Sequence, residues 1–383
     1  MKEIYLDNCA TTPPLAEVIE TMYYTQGTFG NPSSLHAKGI EAEKQIEETR
    51  KILGQALQVS SGEIIFTSGG TEANNLAVQG LAYRNSRKGK HLVTTPIEHP
   101  SVLNAFQHLE RLGFLVSYLQ VDREGYVDKE HLSSLLNRET TLVSIIYVNN
   151  ETGTIQEIGE IARLIKAQDP SILVHVDAVQ ALGKLSLASF RKSVDAISIS
   201  AHKIHGPKGA GALWLKEGVH LQPLFQGGDQ EKGLRPGTEN VPGIVGFGKA
   251  VQEYTGRLRE KAARLQQLKD RFNRGLEEHI EFFVNGPPPE KSAPHIINLS
   301  FPGVKSEVLI RMLEDKGIYS SPGSACHSRR SQASHVLTAL GLEKERIEGA
   351  VRFSFSVLNS EEDIDYAVEQ VAACVKELQK LVY

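Results

Sequence analysis

The feature that most constrains the fold is the alternation of short apolar runs with amphipathic stretches between residues 60 and 215. Strands are predicted by the runs "EIIFTS", "KHLVTTP", "LVSIIYV", "LVHVDAV" and "AISIS". Helices are predicted between several of them by "EANNLAVQGLAYR", "PSVLNAFQHLERLG" and "EIGEIARLIKAQD". This order favours a mostly parallel, doubly wound α/β sheet with helices on both faces. Ligands of such sheets bind beyond the carboxyl ends of the strands, so we expect the chemistry there.

The remainder of the chain predicts a long connector and a second strand-rich region. Apolar residues recur at threes and fours along 241–280, which indicates one long helix. The loop "NGPPPEKSAP" and the strand "HIINLSFPG" follow it. The final stretch, "SEEDIDYAVEQVAACVKELQKLV", predicts an amphipathic helix that opens with a Ser-x-x-Asp form of the capping box.

Charge and cysteine content exclude several classes of protein. The net charge of -4 gives no general attraction to nucleic acid or anionic membranes, so we expect no direct nucleic-acid binding. The three cysteines, Cys9, Cys326 and Cys374, are too few and too scattered for a disulfide framework or a cysteine-rich metal site, and we expect no metal. No apolar run approaches the ~18–20 residues that cross a bilayer, and no signal-peptide pattern opens the chain. We expect a cytoplasmic protein without a membrane anchor.

A lysine stands where a predicted core strand ends. In "ISISAHKIHGPKGAG" the period-two pattern of a strand gives way to a glycine-rich turn, and Lys203 lies at the bend. A lysine close to an apolar core loses part of its preference for the charged form, which favours a Schiff-base amine. A lysine that extends from the strand end to solvent is the alternative.

Two further segments supply the partners of such a lysine. In "IIFTSGGTEANNLA" the turn that contains Gly70 and Thr71 joins a strand to a helix, which is typical of an anion cradle, although a simple tight turn also explains it. Asp177 ends the strand in "VHVDAVQALG", with Gln180 one turn later, and could pair with a cationic ring nitrogen or serve as a helix N-cap. Lysine, acid and anion cradle together are the components of a pyridoxal phosphate (PLP) site.

Three more polar residues follow or interrupt apolar segments. His99 in "TTPIEHPSV" could stack on a planar cofactor and shuttle protons, or be an ordinary loop histidine. Asn150 in "YVNNETG" could bind a ring hydroxyl or a substrate carboxylate. Arg352 lies in the apolar run "VRFSFS", where its guanidinium would bind a substrate carboxylate or form a buried structural ion pair.

The cysteines differ in their surroundings. Cys326 lies in "YSSPGSACHSRRS", a loop of small, polar and cationic residues where a reactive thiolate is plausible, an incidental loop cysteine being the alternative. Cys374 in "VAACVKEL" instead has the pattern of a buried helical residue.

With these segments, the chain resembles the cysteine desulfurases of the NifS/IscS type, which are fold-type I PLP enzymes of the class-V aminotransferase family. The resemblance covers essentially the whole length. Its motifs are "YLDNCATTP", "GNPSSLH", "TSGGTEANNLA", "EHPSV", "VNNETGT", "HVDAVQ", "SAHKIHGPKG", "LRPGTENV", "SPGSAC" and "RFSF". It implies a large PLP-binding α/β domain at 15–255, and a small α+β domain at 1–14 and 256–383 that carries the catalytic cysteine loop.

The resemblance also implies a role for each candidate residue. Lys203 would be the Schiff-base lysine, Cys326 the sulfur acceptor, and Asn150 and Arg352 the ligands of the substrate carboxylate. The cofactor ring would be held by His99, stacked on it, by Asp177 at the pyridine nitrogen and by Gln180 at the ring oxygen. The phosphate would be held by Gly70, Thr71, Ser200 and His202, together with Thr238 from the partner subunit of a homodimer.

The implied reaction removes sulfur from L-cysteine, leaves a persulfide on Cys326 and releases L-alanine. The sulfur acceptor would be a tRNA-thiolation enzyme or an iron–sulfur scaffold. The chain ends at "KELQKLVY", without the longer tail that meets the scaffold in some family members, so the first acceptor is at least as well favoured.

Other functions compete with this interpretation. Selenocysteine lyase or another PLP-dependent lyase of the same fold is the alternative within enzymes. A sulfur carrier or assembly scaffold without catalysis is disfavoured by the presence of Lys203, Asp177 and Arg352. A nicotinamide dehydrogenase is disfavoured because the glycine turn lacks the GxGxxG fingerprint.

Overall fold

A computed structural model describes residues 2–60, 64–323 and 333–381 of the chain. Its helices are α1 (Ala16–Thr25), α2 (Ala37–Leu57), α3 (Gly70–Asn85), α4 (Pro100–Arg111), α5 (Lys129–Leu135), α6 (Ile158–Gln168), α7 (Val241–Thr255), α8 (Leu258–Glu277), α9 (Ser306–Glu314), α10 (His335–Ala339), α11 (Lys344–Glu348) and α12 (Glu361–Leu381). Its strands are β1 (Ile4–Tyr5), β2 (Ile64–Thr67), β3 (His91–Thr94), β4 (Leu115–Tyr118), β5 (Thr140–Ile146), β6 (Leu173–Asp177), β7 (Ala196–Ser200), β8 (Gly211–Leu215), β9 (Phe283–Val284), β10 (Ile296–Ser300), β11 (Ile318–Tyr319), β12 (Ser321–Pro322) and β13 (Ala350–Ser354).

The large sheet has the strand order β2-β8-β7-β6-β5-β3-β4. The strands from β7 to β4 are parallel, and β8 is antiparallel to both of its neighbours. The predicted α/β fold with a mostly parallel sheet is therefore confirmed. Because the carboxyl ends of parallel strands meet at one edge, the segments that follow β3, β5, β6 and β7 converge there.

Both faces of this sheet are buried. Successive residues of β5 alternate between two apolar cores: Leu142 packs on the face that α3 and α4 cover, and Val143 packs in the core on the other face. All seven residues of β5 are buried, as are all five of β7. A strand that is buried on both faces has a continuous hydrophobic sequence, which is why these strands could be predicted from the sequence.

A smaller antiparallel sheet, ordered β12-β13-β10-β9, packs with α8, α9 and α12 around a separate apolar core. Phe272 of α8 contacts the rings of Phe353 and Phe355 in this core, with centroid distances of 4.8 and 5.5 Å. The amino-terminal residues Ile4 and Leu6 belong to the same core, because β1 pairs in parallel with β11. The start of the chain therefore packs with its last third.

The prediction of one long helix over 241–280 is wrong, since α7 ends at Thr255 and α8 begins at Leu258. Arg257 has φ -131° and ψ 41°, outside helical geometry. The break follows from the two cores: Tyr254 packs in the core of the large sheet, whereas Leu265 packs in that of the small sheet. Each of the two helices is amphipathic by itself. The apolar residues therefore keep a helical spacing through 241–280, although the chain changes direction between α7 and α8.

The carboxyl-terminal helix α12 begins as predicted. Ser360 Oγ accepts a hydrogen bond from the Asp363 N–H at 3.1 Å, and Asp363 Oδ2 accepts one from the Ser360 N–H at 2.9 Å. This reciprocal pair is a capping box. Cys374 is 2% exposed, which confirms the predicted buried helical residue. In the described ranges, no helix has both the length and the apolar character needed to span a membrane.

Candidate active site

A cavity of about 510 Å³ opens at the carboxyl ends of β5, β6 and β7 and at the amino end of α3. The sequence-predicted residues that line it are Gly70, Thr71, His99, Asn150, Asp177, Gln180, His202, Lys203 and Arg352. Ser200 is fully buried beside this cavity, and Thr238 is exposed on the surface of its own chain. Cys326 lies outside the described residues. The fold thus gathers residues that are up to 343 positions apart, from Cys9 to Arg352, around one cavity.

Lys203 is the last residue of a short 3-10 helix, Ala201–Lys203, that follows β7 directly. This turn directs the side chain away from the buried sheet and into the cavity. Its Nζ donates hydrogen bonds to the carbonyl oxygens of Cys9 and Ala10, the second at 2.8 Å. Burial of the preceding strand and the tight turn together explain why a lysine follows a core strand here.

A second lysine, Lys184, binds the backbone of this turn. Lys184 is 4% exposed and donates from Nζ to the Lys203 carbonyl oxygen at 2.8 Å. Burial, together with the nearby charge of Lys203, lowers the pKa of Lys184 to about 7. Two amines thus lie close together at this strand end, of which Lys203 lines the cavity.

Asp177 ends β6 and faces the cavity with a buried carboxyl group. Oδ2 accepts from Asn74 Nδ2 at 2.7 Å, and Oδ1 accepts from the Val179 N–H at 3.0 Å. Burial raises the pKa of Asp177, and these two donors oppose that shift. The residues that follow Asp177 form turns and no helix, so the N-cap interpretation is wrong, and the carboxyl group instead lies at the cavity.

His99 is the N-cap of α4, and its ring lines the cavity. Nδ1 accepts from the Ser101 N–H at 3.2 Å and lies 2.8 Å from Ser101 Oγ. Burial lowers the pKa of His99 to about 4, and the neighbouring Lys203 and His335 lower it further. The ring is therefore neutral at physiological pH.

The turn between β2 and α3 forms a small polar cradle. Gly69 has φ +154°, a conformation that L side chains rarely adopt, and a Cβ on Gly70 would lie 2.7 Å from Val179 Cγ2. Ser200 Oγ is buried close to Gly70 and has no hydrogen-bond partner among the described residues. An unpaired buried hydroxyl beside the amino end of a 16-residue helix suits a bound anion such as a phosphate.

Arg352 enters the cavity from β13 of the small sheet and is 1% exposed. Nη2 donates to Asp7 Oδ1 at 2.8 Å, and Nη1 donates to the Asn150 carbonyl oxygen at 2.9 Å. Nε has no partner among the described residues. Arg352 therefore forms the buried ion pair that was the alternative, and it also retains donor capacity for a ligand carboxylate.

Gln180 and His202 complete the polar wall. Gln180 Nε2 donates to the Cys9 carbonyl oxygen at 3.0 Å. His202 Nδ1 lies 3.2 Å from Thr11 Oγ1, and burial and nearby Lys203 lower the pKa of His202 to about 3. Both residues thus bind the segment 9–11, which the sequence analysis did not assign to the site.

Sequence reasoning missed Asn74 and Ser101. Asn74 is 1% exposed and bridges Asp177 Oδ2 and Ser101 Oγ through its Nδ2. The signal that could have found it is an asparagine at an interior position of α3, between the buried residues Ala73 and Leu76. A buried amide inside an apolar helix face needs polar partners.

In the described parts of the chain, no group of three or more His, Cys, Asp or Glu residues could hold a metal ion. The cavity instead combines an amine, a buried acid, a neutral imidazole and an anion cradle. These groups fit PLP, because its aldehyde, ring nitrogen and phosphate require an amine, an acid and a set of anion-binding donors.

Comparisons with known proteins agree with this arrangement. The family model "Aminotransferase class-V" matches residues 4–367. Cysteine desulfurase IscS of Dictyoglomus turgidum is 42% identical over 382 residues, which cover 99% of this chain and 96% of that protein. Cysteine desulfurase IscS of Methanosarcina thermophila is 43% identical over 381 residues, which cover 99% and 94%.

Solved structures give the same result. A structure titled "NIFS-LIKE PROTEIN" superposes with a TM-score of 0.92 and 38% identity, covering 98% of this chain and all of that one. A structure titled "SspA in complex with cysteine" has a TM-score of 0.82 and 34% identity over 93% of this chain and 99% of that one. This chain therefore belongs to the class-V aminotransferase family and, within it, to the PLP-dependent cysteine desulfurases of the NifS/IscS type.

Proposed function

We propose that this chain removes sulfur from L-cysteine, releases L-alanine and retains the sulfur as a persulfide on Cys326. The observation that carries the proposal is the convergence of Lys203, Asp177 and His99 on one cavity, beside a Ser200 hydroxyl that has no partner among the described residues. The full-length similarity to cysteine desulfurases supports it. The solved relative titled as a complex with cysteine supports the choice of substrate.

The proposed site would hold PLP through contacts at its aldehyde, its ring and its phosphate. Lys203 would bind the aldehyde, Asp177 would pair with the pyridine nitrogen, Gln180 would bind the ring oxygen and His99 would stack on the ring. The phosphate is assigned to Gly70, Thr71, Ser200 and His202, with Thr238 of a partner copy. When bound, PLP supplies an electron sink for the electrons that remain at the substrate α-carbon as its proton leaves.

The residues of the chain prepare this chemistry. The carboxylate of Asp177, supported by Asn74 Nδ2 and the Val179 N–H, keeps a proton on a ring nitrogen placed beside it. The amine of Lys203 is held by two carbonyl oxygens at the cavity wall. The neutral ring of His99 can lie against a planar group without adding a second positive charge.

Substrate binding is assigned to Arg352 and Asn150. The Arg352 guanidinium is fixed by Asp7 and by the Asn150 carbonyl, so its orientation is set before a ligand arrives. Its Nε–H lacks a partner among the described residues, which leaves a donor for a carboxylate oxygen. Preorganised donors of this kind cost little reordering on binding.

Cys326 is the proposed sulfur acceptor, because the other two cysteines are almost fully buried. Cys374 is 2% exposed in the core of the small sheet, and Cys9 borders the cavity but is also only 2% exposed. The thiolate of Cys326 attacks the substrate sulfur, the carbon–sulfur bond breaks, and its electron pair remains with the carbon part that becomes alanine. The carbon part takes up a proton to give alanine. The step needs no external oxidant, because the transferred sulfur is oxidised by two electrons while the β-carbon of the substrate is reduced by two.

The test uses sulfur-labelled cysteine with the wild-type enzyme and with Cys326→Ser and Cys9→Ala. Cys326→Ser should bind PLP and cysteine but carry no labelled persulfide, since the accepting thiol is gone. Cys9→Ala is the matched control and should retain labelled persulfide. Undiminished sulfide release from Cys326→Ser would contradict the assignment and favour a lyase in which the cysteine loop is dispensable.

The proposal extends to assembly and to the sulfur acceptor. Tyr23, Phe29 and Leu35 are 75%, 79% and 95% exposed, and apolar surface of this kind around α1 and α2 supports a homodimer. The separate apolar cores support a large domain at 15–255 and a small domain at 1–14 and 256–383. A tRNA-thiolation enzyme or an iron–sulfur scaffold is the proposed sulfur acceptor. The proposed location is the cytoplasm, where scattered cysteines stay reduced.

A further inference from the structure

A continuous chain of buried polar contacts joins His99 and Asp177, two of the groups that would contact the cofactor ring. Asn74 Nδ2 lies 2.7 Å from Asp177 Oδ2 and 2.9 Å from Ser101 Oγ, and Ser101 Oγ lies 2.8 Å from His99 Nδ1. Asn74 and Ser101 are 1% and 7% exposed. Water is therefore largely excluded from the contacts, and the protons must be ordered among these side chains.

The direction of each hydrogen bond can be worked out from the donors. A backbone N–H can only donate, so the Ser101 N–H, at 3.2 Å, requires a lone pair on His99 Nδ1. The Ser101 hydroxyl therefore also donates to Nδ1, and its oxygen accepts from Asn74 Nδ2. The other hydrogen of that amide nitrogen is directed to Asp177, which accepts it as a carboxylate.

A network with all hydrogen bonds reversed would leave His99 Nδ1 with the wrong partner. If the Asn74 amide were flipped, Ser101 Oγ would donate to Asn74 and would have to accept from a protonated Nδ1. That proton would then face the Ser101 N–H, and two donors would oppose each other in a buried position. Only the first arrangement satisfies His99 Nδ1.

We infer that Asn74 and Ser101 are positioning residues that hold His99 as the neutral tautomer protonated on Nε2 and tie it to the Asp177 carboxylate. In that tautomer Nε2 carries the proton, so His99 donates from Nε2 and cannot act as a base there. Its contribution is to stack and to donate a hydrogen bond, whereas a proton shuttle would first have to break both bonds from Ser101. The placement of His99 and Asp177 against the cofactor rests on the proposed function; the tautomer does not.

The test measures the tautomer by long-range proton–nitrogen NMR of the full-length chain labelled with 15N-histidine, with and without bound PLP. The His99 signal is assigned by its loss in His99→Gln. Wild type should carry the proton on Nε2 in both states. Ser101→Ala removes the stronger donor to Nδ1, so the population protonated on Nδ1 should rise about five-fold, the effect of one ordinary hydrogen bond. Ser101→Thr should restore the wild-type ratio.

The matched control is Ser144→Ala. Ser144 Oγ lies 2.8 Å from His175 Nδ1 in the buried sheet, away from the cavity residues. Its loss should leave the His99 tautomer unchanged. Asn74→Leu should also shift the His99 ratio, and in the PLP-loaded enzyme it should shift the pH titration of the visible cofactor absorption.

A wild-type signal with the proton on Nδ1, or an unchanged ratio in Ser101→Ala and Asn74→Leu, would overturn the inference. The cofactor-free arm separates the two proposals. If the chain shows the predicted tautomer but makes no persulfide from cysteine, the inferred network stands and the proposed function is refuted. If the chain makes the persulfide but His99 carries its proton on Nδ1, the proposed function stands and the network is refuted.

Discussion

Two largely buried polar clusters in this molecule border cavities of nearly equal size but differ in how their hydrogen bonds are satisfied. The first, the active-site cluster, comprises Asn74, Ser101, Asp177, Ser200 and Arg352. The second, the small-sheet cluster, comprises Asn285, Asn298, Ser300 and Arg346. The cavities are about 510 and 530 Å³. Size alone therefore does not separate a binding site from a structural recess.

The small-sheet cluster is satisfied within the protein. Asn285 Nδ2 donates to Asn298 Oδ1 at 2.8 Å and to Ser300 Oγ at 2.7 Å, and Asn285 Oδ1 accepts from Arg346 Nε at 2.7 Å. In the active-site cluster, Ser200 Oγ, Asn74 Oδ1 and Arg352 Nε lack partners among the described residues. Buried polar groups normally have partners, so the unsatisfied cluster is the one arranged for a ligand.

The largest expected effect separates two lysines, one at the active-site cavity and one buried in α8. Lys203→Ala removes the amine of the active-site cavity, and activity should fall about 10²- to 10⁴-fold, as when a positioned catalytic group is lost. Lys269 is fully buried in α8 and donates to Ser292 Oγ at 3.0 Å and to the Ala293 carbonyl at 2.9 Å. Lys269→Met should lower the free energy of unfolding by about 1–3 kcal/mol, because it leaves buried acceptors unpaired.

Steady-state kinetics and denaturant unfolding of both variants give the comparison. The folded Lys269→Met enzyme should keep its turnover number within about two-fold, since Lys269 does not line the cavity. Retained activity in Lys203→Ala, or a large loss of turnover in folded Lys269→Met, would reverse the assignment of the two regions.

The next effect concerns stability at the small-sheet cluster. Asn285→Ala removes two donated hydrogen bonds and the acceptor of Arg346, so the free energy of unfolding should fall by about 2–3 kcal/mol. Asn85→Ala, which loses one bond from Nδ2 to the Leu81 carbonyl at 2.7 Å, is the control and should cost about 1 kcal/mol or less. Urea titrations measure both. Equal losses would show that the satisfied network adds nothing beyond one ordinary bond.

A smaller effect follows from histidines buried in neutral form. Burial lowers the pKa of His175 to about 3, below the ordinary value of 6.5. Between these values the unfolded chain binds a proton that the folded chain does not, so stability is present above pH 6.5 and is lost as the pH falls. The slope from one such group is at most about 1.4 kcal/mol per pH unit.

His175→Gln should reduce this slope between pH 6.5 and 4.5, whatever its effect on stability at neutral pH. Unfolding titrations at several pH values measure the slope. A variant slope equal to that of wild type would mean that His175 is protonated in the fold or that other groups dominate the window.

The smallest expected effect concerns the number of thiols that react with a reagent in the folded protein. Cys9 and Cys374 are each 2% exposed, so a Cys326→Ser protein should show almost no thiol reactive to an aromatic disulfide reagent under native conditions. After denaturation both remaining cysteines should react. Rapid native reaction at Cys9 would show that the active-site cavity exposes this thiol.

The sequence predicted the large sheet well because its central strands are apolar on both faces and end at polar residues. Local patterns predicted strands β5, β6 and β7, the helices between strands, and the capping box at Ser360. Strand β4 was missed because it is an edge strand on which Leu115 is 63% exposed, which weakens the apolar signal. The antiparallel β8 was missed because it directly follows a glycine-rich turn.

The candidate site divides in the same way. Lys203, Asp177 and His99 stand at ends of strands or starts of helices, where sequence order predicts convergence. The bonds of the Cys9 and Ala10 carbonyls to Lys203 join residues 194 and 193 positions apart, which no local pattern reveals. The ion pair of Arg352 with Asp7 spans 345 positions and depends equally on tertiary packing. The role of Cys326 stays a prediction, since it lies outside the described residues.

The central claim is that Lys203, and no other lysine near the cavity, carries the cofactor. Borohydride reduction of the PLP-loaded enzyme, followed by proteolysis and mass spectrometry, tests it most directly because reduction fixes the cofactor where it is bound. We expect a pyridoxyl group on the peptide that contains Lys203. A group found on Lys184 or Lys208 instead, or no modified lysine at all, would contradict it.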